Sequence, residues 1–407
     1  MVPMTPPTTS GAPPGTPAQP VHPQLGAPAD FAQAPFIVIW EVTRACALAC
    51  LHCRADAIPR RSSGELTTEE GFRLIDQVRS FGDTPPLFVL TGGDPMRRPD
   101  LADLVRYASD VGLTVALTPS GTAAATSRRL AELRDAGLKR VAVSLDGPDA
   151  ATHDAFRRVR GSYVWTMKII QAVTDLGMPL QINTTVAWLT YPHLRAVLER
   201  VRELPIALWA LFFLIPTGRG AALEQIDAEE CERALHFLHD LAPTVPFGIK
   251  TTEAPHYFRV ASQRPRPEPS GVVPAVQQRR QVRSHRSVTD GNGFVFIDHV
   301  GQICPSGFLP MVCGSTRQEL LVRIYREHAL FVRLREPDGF EGKCGRCEFR
   351  HVCGGSRARA YAATGSPLGS DPLCAYEPRD VLGFDRGTAS SSASAPPTPR
   401  SVPGAGY

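Results

Sequence analysis

Seven of the ten cysteines fall into two groups whose spacings suit metal ligands. The first is Cys46, Cys50 and Cys53, a C-x3-C-x2-C run directly after an apolar stretch. Three thiolates on one loop can hold three irons of a [4Fe–4S] cube and leave the fourth iron open to a small molecule. The alternative is a zinc site completed by His52, although structural zinc cysteines usually come in C-x2-C pairs. The second group, Cys344, Cys347, Cys353 and Cys374, has the spacing C-x2-C-x5-C-x20-C. Four thiolates can close a cluster completely, or equally a zinc knob. Cys304 and Cys313 stand apart from both groups, as further ligands or as small buried hydrophobes, and Cys231 reads as core packing.

Something must position these thiolates, and the chain is long enough to do it. Its 407 residues allow a large domain plus an appendage. Residues 1–34 hold nine prolines and read as a disordered tail, as does 385–407. A proline- and arginine-rich break at 261–286 reads as a linker or loop, dividing the chain into 35–260 and 287–384. In the first part, apolar runs alternate with helical patterns. FIVIWE (36–41), LFVLT (87–91), 114–118, 140–144, 180–186 and 208–215 read as strands buried on both faces. Helices are expected at 68–81, 101–111, 128–136, 164–176 and 194–203, with Thr67 or Thr68 as the first cap. Six such units predict an α/β fold, a partial barrel whose chemistry lies on the loops after the strands.

Composition excludes some classes. A net charge of +4 gives no argument for nucleic acid. No run approaches the ~18 apolar residues of a membrane helix. The start lacks the basic-then-apolar order of a secretory signal. Ten cysteines without a disulfide framework fit a reducing cytoplasm.

The cysteine run and the loops behind it resemble the radical S-adenosylmethionine superfamily, with its C-x3-C-x2-C motif on the first loop of a partial (β/α)6 TIM-like barrel. Thr91-Gly92-Gly93-Asp94-Pro95 is similar to that family's Gly-Gly-Glu-Pro loop, which receives the cofactor's amino group. Ser120 lies in the loop after the third strand, and Ser144-Leu145-Asp146-Gly147 with His153-Asp154 and Arg157-Arg158 matches the fourth-strand segment. The resemblance implies Ser144 and Arg158 near the methionyl carboxylate, and Asn183 with the 215–220 loop near ribose and adenine. It implies reductive cleavage of S-adenosylmethionine to a 5′-deoxyadenosyl radical, with electrons from a reductase such as flavodoxin or ferredoxin. The second cysteine group then resembles a SPASM or Twitch extension carrying auxiliary [4Fe–4S] clusters. One auxiliary cluster is expected, because Gly354-Gly355-Ser356-Arg357 follows Cys353 where the full pattern has another cysteine.

The 213–220, 250–257 and 345–349 segments look like the branch that modifies tetrapyrroles in haem d1 and alternative haem synthesis. Under that resemblance the substrate is an iron porphyrinoid with carboxylate side chains. Arg219 and Arg259 could then pair a carboxylate, and His256 could ligate iron or donate a proton. Two other readings are modification of a ribosomal peptide, and a non-catalytic iron–sulfur sensor or zinc scaffold.

Overall fold

A computed structural model describes residues 30–264 and 288–379. Most of the expected linker, residues 1–29 of the first tail and all of the second tail lie outside the described residues. The six expected strands form: β1 (Ile37–Glu41), β2 (Leu87–Thr91), β3 (Val115–Leu117), β4 (Arg140–Ser144), β5 (Leu180–Val186) and β6 (Leu208–Phe213). They lie side by side in chain order and all are parallel. Between them run α1 (Thr68–Arg79), α2 (Leu101–Asp110), α3 (Ser127–Asp135), α4 (Ala150–Arg157), α5 (Ser162–Asp175) and α6 (Leu194–Arg202). Thr67 opens α1 with a capping box, its side chain accepting from Glu70 N while Glu70 accepts from Thr67 N.

After α7 (Ala228–Leu241), β7 (Gly248–Thr252) adds to β6, and α8 (His256–Gln263) follows. β7 is Gly-Ile-Lys-Thr-Thr, half-buried and without an apolar run, so pattern alone did not reveal it. At the other edge β8 (Phe294–Ile297) pairs in parallel with β1, so the C-terminal residues begin by extending the same sheet. β9 (Gln302–Cys304) and β10 (Gly314–Ser315) complete it in antiparallel fashion, giving ten strands in the order β10-β9-β8-β1 through β7. Phe31, inside the expected tail, is buried against Gly293, and its carbonyl accepts from Tyr325 Oη at 2.7 Å. Among the described residues no helix is long and apolar enough to cross a membrane.

The two faces of the sheet differ, and the difference locates the site. Val38, Trp40, Phe88, Leu90, Val115, Leu117, Val143, Ile182, Trp209 and Leu211 share one face and are sealed beneath the helices. The opposite face carries Ile39, Thr91, Ser144, Asn183 and Phe212, all half-buried. A side chain of period two that is closed on one side and open on the other defines the lumen of a partial barrel.

One joint fixes the C-terminal part over the ends of the strands. Arg359, on the helix Arg357–Thr364, is 0% exposed. It donates to Phe213 O and Leu214 O at 3.3 Å, to Glu253 O at 2.9 Å and to Gln225 Oε1 at 3.0 Å, and pairs with Asp371 at 3.2 Å. Burial disfavours the charge on Asp371, but Arg359 and His256 outweigh it and hold the carboxyl well below its ordinary range. Beside it Glu253, at the end of β7, adopts a left-handed φ of 59° and accepts from Ser356 Oγ at 2.5 Å. Burial, and then the neighbouring Asp290, push the Glu253 carboxyl up to about 8.

Removing one member of a buried ion pair strands the other, at about 3–5 kcal/mol. Arg359→Met is therefore expected to lower the unfolding free energy by about that amount, measured by chemical denaturation. The Glu253 carboxyl holds its proton more tightly folded than unfolded, where its value is 4.5. Its contribution is complete below that value and is lost as pH rises from about 4.5 towards about 8. Glu253→Gln should flatten the fall in melting temperature across that window; an unchanged slope would contradict the assignment.

Candidate active site

The loop between β1 and α1 carries the first cysteines, and two glycine-bearing loops grip it. From the β2 side, Gly93 N donates to Thr43 O at 2.8 Å and Asp94 N to Ala45 O at 2.7 Å. A Cβ on Gly93 would lie 2.5 Å from Arg44 O and 2.6 Å from Ala45 O. Gly92, at φ 154°, presses against Thr43 O in the same way. From the β6 side, Gly218 packs against the carbonyls of Cys53 and Arg54. Arg219 next to it donates from its backbone to Cys53 O, and from its side chain to Cys50 O and Ala57 O, each at 3.0 Å. Glycine is required where backbones come this close. Cys46, Cys50 and Cys53 are thereby gathered in one cluster with Leu48, Ala57 and Val159.

Arg157 reaches this cluster from α4. Its Nη1 lies 3.6 Å from Cys50 Sγ, and it forms a buried ion pair with Asp146. Asp146 also accepts from Thr185 N at 2.7 Å, so the residue after β4 is tied to β5. Burial works against the charge on Asp146, and Arg157 reverses this, bringing its carboxyl down to about 2. His153, one turn before Arg157, accepts from Asp146 N at 3.2 Å. His52 stacks on Phe156 with centroids 4.5 Å apart, and burial with the nearby Arg157 charge brings it down to about 3. A neutral, stacked imidazole packs the loop from behind.

The structure brings most of the sequence-derived candidates to the lumen rim. Ser120 Oγ donates to Gly93 O at 2.5 Å and lies 3.6 Å from Cys46 Sγ. Ser144 and Asn183 are register partners on the half-open face, where Asn183 Oδ1 accepts from Gln181 Nε2 at 2.7 Å. The Asp94 carboxylate is fully buried, accepting from Thr122 Oγ1 at 2.7 Å and from the backbone of Met96 and Ser120. It organises the loop behind Gly93 rather than pointing into the lumen. Arg158 is exposed at a left-handed φ of 59°, and it is Arg157 that meets the cysteines. Asp146 and Arg157 stood in the sequence only as part of the fourth-strand match, with no role of their own. The signal for Arg157 was its i, i+4 spacing from His153, which puts both on one helix face.

His256 and Arg259, read from the sequence as substrate-facing, line a small, partly open pocket with Cys344, Cys347, Cys353 and Cys374. His256 is 1% exposed and lies 3.3 Å from Asp371. Burial opposes its charge, but Asp371 and Cys374 lift it to about 9. Arg259 pairs with Glu232 and covers the Tyr376 ring at 5.1 Å. Arg357 Nη2 donates to Cys344 Sγ at 3.3 Å, and Asp371 N and Gly355 N approach Cys344 and Cys353 at 3.4 Å. N–H groups aimed at sulfur, and a cavity walled by four thiols, suit a cluster with thiolate ligands. Among the described residues no three donors converge as tightly as a single zinc ion demands. Cys304 ends β9 and Cys313 directly precedes β10, both thiols pushed up to about 12, mainly by burial. Ser356, three residues after Cys353, commits its hydroxyl to Glu253. Cys231, on the buried face of α7, is 1% exposed in the core.

Gly93→Ala tests the grip on the first loop. The added methyl group is expected to displace it and to lose the iron of the first cysteine set while the second set keeps its own. Iron analysis after anaerobic reconstitution, against Cys50→Ala, is the measurement.

The comparisons with known proteins agree with this geometry. Residues 40–195 match the family model of the radical SAM superfamily. The AdoMet-dependent heme synthase of Oleidesulfovibrio alaskensis is 41% identical, over 86% of this chain and 89% of that protein. The PqqA peptide cyclase of Bradyrhizobium diazoefficiens is 27% identical, over 84% of this chain and 87% of that one. Among solved structures, Streptococcus suis SuiB bound to S-adenosylmethionine superposes with a TM-score of 0.63. That match has 15% identity and covers 84% of this chain and 78% of SuiB, a likeness of fold. Its cysteine loop, its glycine grip and this degree of identity place the chain in the radical SAM superfamily, in the same family as the AdoMet-dependent heme synthases.

Proposed function

We propose that this radical SAM enzyme acts on an iron porphyrinoid and removes carboxylate from its propionate side chains, as a late step in making haem. The observation that carries the reading is the 41% identity to a heme synthase along nearly its whole length, against 27% to a peptide cyclase. When bound at Cys46, Cys50 and Cys53, a [4Fe–4S] cluster and S-adenosylmethionine would supply a 5′-deoxyadenosyl radical. The chain's own residues orient and enclose that chemistry. Gly93 O, Ser120, Ser144 and Asn183 sit on the rim where the cofactor's polar groups would bind. Arg219 keeps one buried nitrogen, Nη2, without a hydrogen-bond partner, on a loop already fastened to the cysteines. A buried guanidinium nitrogen is a strong donor, and a carboxylate of the substrate or cofactor fits it.

The reaction balances as follows. A hydrogen atom leaves the ring-side carbon of a propionate, giving 5′-deoxyadenosine and a carbon radical. The bond to the carboxylate carbon breaks, a C=C bond forms, and CO2 and one electron are released. The second cysteine set, taken as one auxiliary cluster, is the nearby redox group of this chain. A reductase such as flavodoxin or ferredoxin is the proposed electron source for the first cluster.

The test is anaerobic turnover with dithionite, S-adenosylmethionine and iron-coproporphyrin III, following 5′-deoxyadenosine, CO2 and vinyl products. Wild type should form all three, and Cys50→Ala none above background. 5′-Deoxyadenosine that ignores the porphyrin would overturn the substrate and favour a peptide.

A further inference from the structure

Arg357 is 1% exposed, and its surroundings are unusual for a buried cation. Its Nε faces Gly355 O at 3.4 Å, and its Nη1 donates to Pro367 O at 3.1 Å and Gly369 O at 2.8 Å. The guanidinium lies 4.5 Å over the Phe340 ring. Its remaining partner is Cys344 Sγ, 3.3 Å from Nη2. Among the described residues it has no ion pair with a carboxylate, whereas Arg359, two residues on, is paired with Asp371. A buried arginine cannot shed its proton, so it needs an anion. The buried Asp290 carboxylate acts on it from beyond ion-pair distance, and within its hydrogen-bonding shell the sulfur of Cys344 is the one atom that can carry that charge. The arrangement at Cys50 differs, because Arg157 there is already neutralised by Asp146.

Carbonyls and an aromatic ring hold the guanidinium in place independently of any metal, so the donor is fixed before a cluster arrives. Hydrogen bonds to cluster sulfurs and nearby positive charge both favour the reduced, more negative form. We propose that Arg357 is a positioning residue that raises the reduction potential of the cluster held by Cys344, Cys347, Cys353 and Cys374, so that this cluster takes up the electron released with CO2. One electron leaves the substrate radical and one reduces the cluster, which closes the balance given above. The inference rests on the reading that the second cysteine set holds a cluster.

The experiment uses a full-length chain with Cys46, Cys50 and Cys53 all changed to Ala, so that only the second set binds iron. An EPR-monitored redox titration should show a lower midpoint potential for Arg357→Gln than for its parent, with Arg357→Lys in between and iron content equal. Equal iron with an unmoved potential would overturn the role of Arg357. If the Gln variant takes up no iron, pulsed EPR on the parent chain labelled with ¹⁵N-arginine decides the matter. A guanidinium ¹⁵N coupling to the reduced cluster that survives Arg259→Lys supports the proposal, and its absence overturns it. A parent chain that binds no iron would instead remove the cluster, and the inference with it.

Discussion

The architecture of the site depends on a buried charge pair, Arg359 with Asp371, set between the strand ends and the C-terminal cysteines. Arg359 bonds the carbonyls that close β6 and begin the turn after β7, while Asp371 accepts from Ser356 N and faces His256. Each group is expensive to bury alone, and each is acceptable only because the other is there. Because Asp371 stands three residues before Cys374, and Arg359 six after Cys353, the pair fixes where the second cysteine set sits relative to the lumen. A packed apolar joint could bury as much surface, but it would not specify one register in the same way.

The first cysteine set is held by a different device, close approach of backbones. Three thiols on an irregular loop have no regular structure to align them. Glycines from the loops after β2 and β6 come near enough to hydrogen-bond or press directly on the loop's carbonyls, which no side chain would allow. The loop is thereby referenced to the rigid sheet at two points, and Arg157 adds a third contact through Cys50. Asp94 belongs to the same device. Its carboxylate faces inward to Thr122 and the backbone, stiffening the turn that presents Gly93 O to Ser120.

Both sets meet an arginine, with different electrical consequences. At Cys50 the arginine is one half of a neutral pair with Asp146. At Cys344 the arginine's direct contacts are neutral carbonyls, a ring and the sulfur, and the nearest carboxylate named with it, Asp290, acts from beyond ion-pair distance. In a low-dielectric interior a charge without a direct ion-pair partner, a few ångströms away, weighs far more than one at the surface. Two sets of similar ligands in one chain can thus be given different redox tendencies by the residues behind them.

The cysteine spacings, the Gly92-Gly93 turn and six apolar strand runs were legible in the sequence because each is a local pattern. Ligand spacing, turn chemistry and period-two burial all report on neighbours a few residues apart. β7 escaped because its half-buried polar residues take their strand form from pairing with β6 rather than from their own composition. Between Arg157 and Arg158 the i, i+4 spacing to His153 was the local signal, but only the packing of α4 against the cysteine loop showed that Arg157 ends the helix on Cys50 while Arg158 caps it in an exposed left-handed turn. Likewise His256 and Arg259 read from the sequence as substrate-facing, and only the packing of α8 against the C-terminal segment put them beside the second thiols. What the chain's order of residues determined was the family, the two cysteine groups and the barrel. Which charges lie buried behind those cysteines, and whether each has a partner, was decided by tertiary contacts, some only a dozen positions apart, such as Arg359 with Asp371, and some more than a hundred apart, such as Arg359 with Leu214.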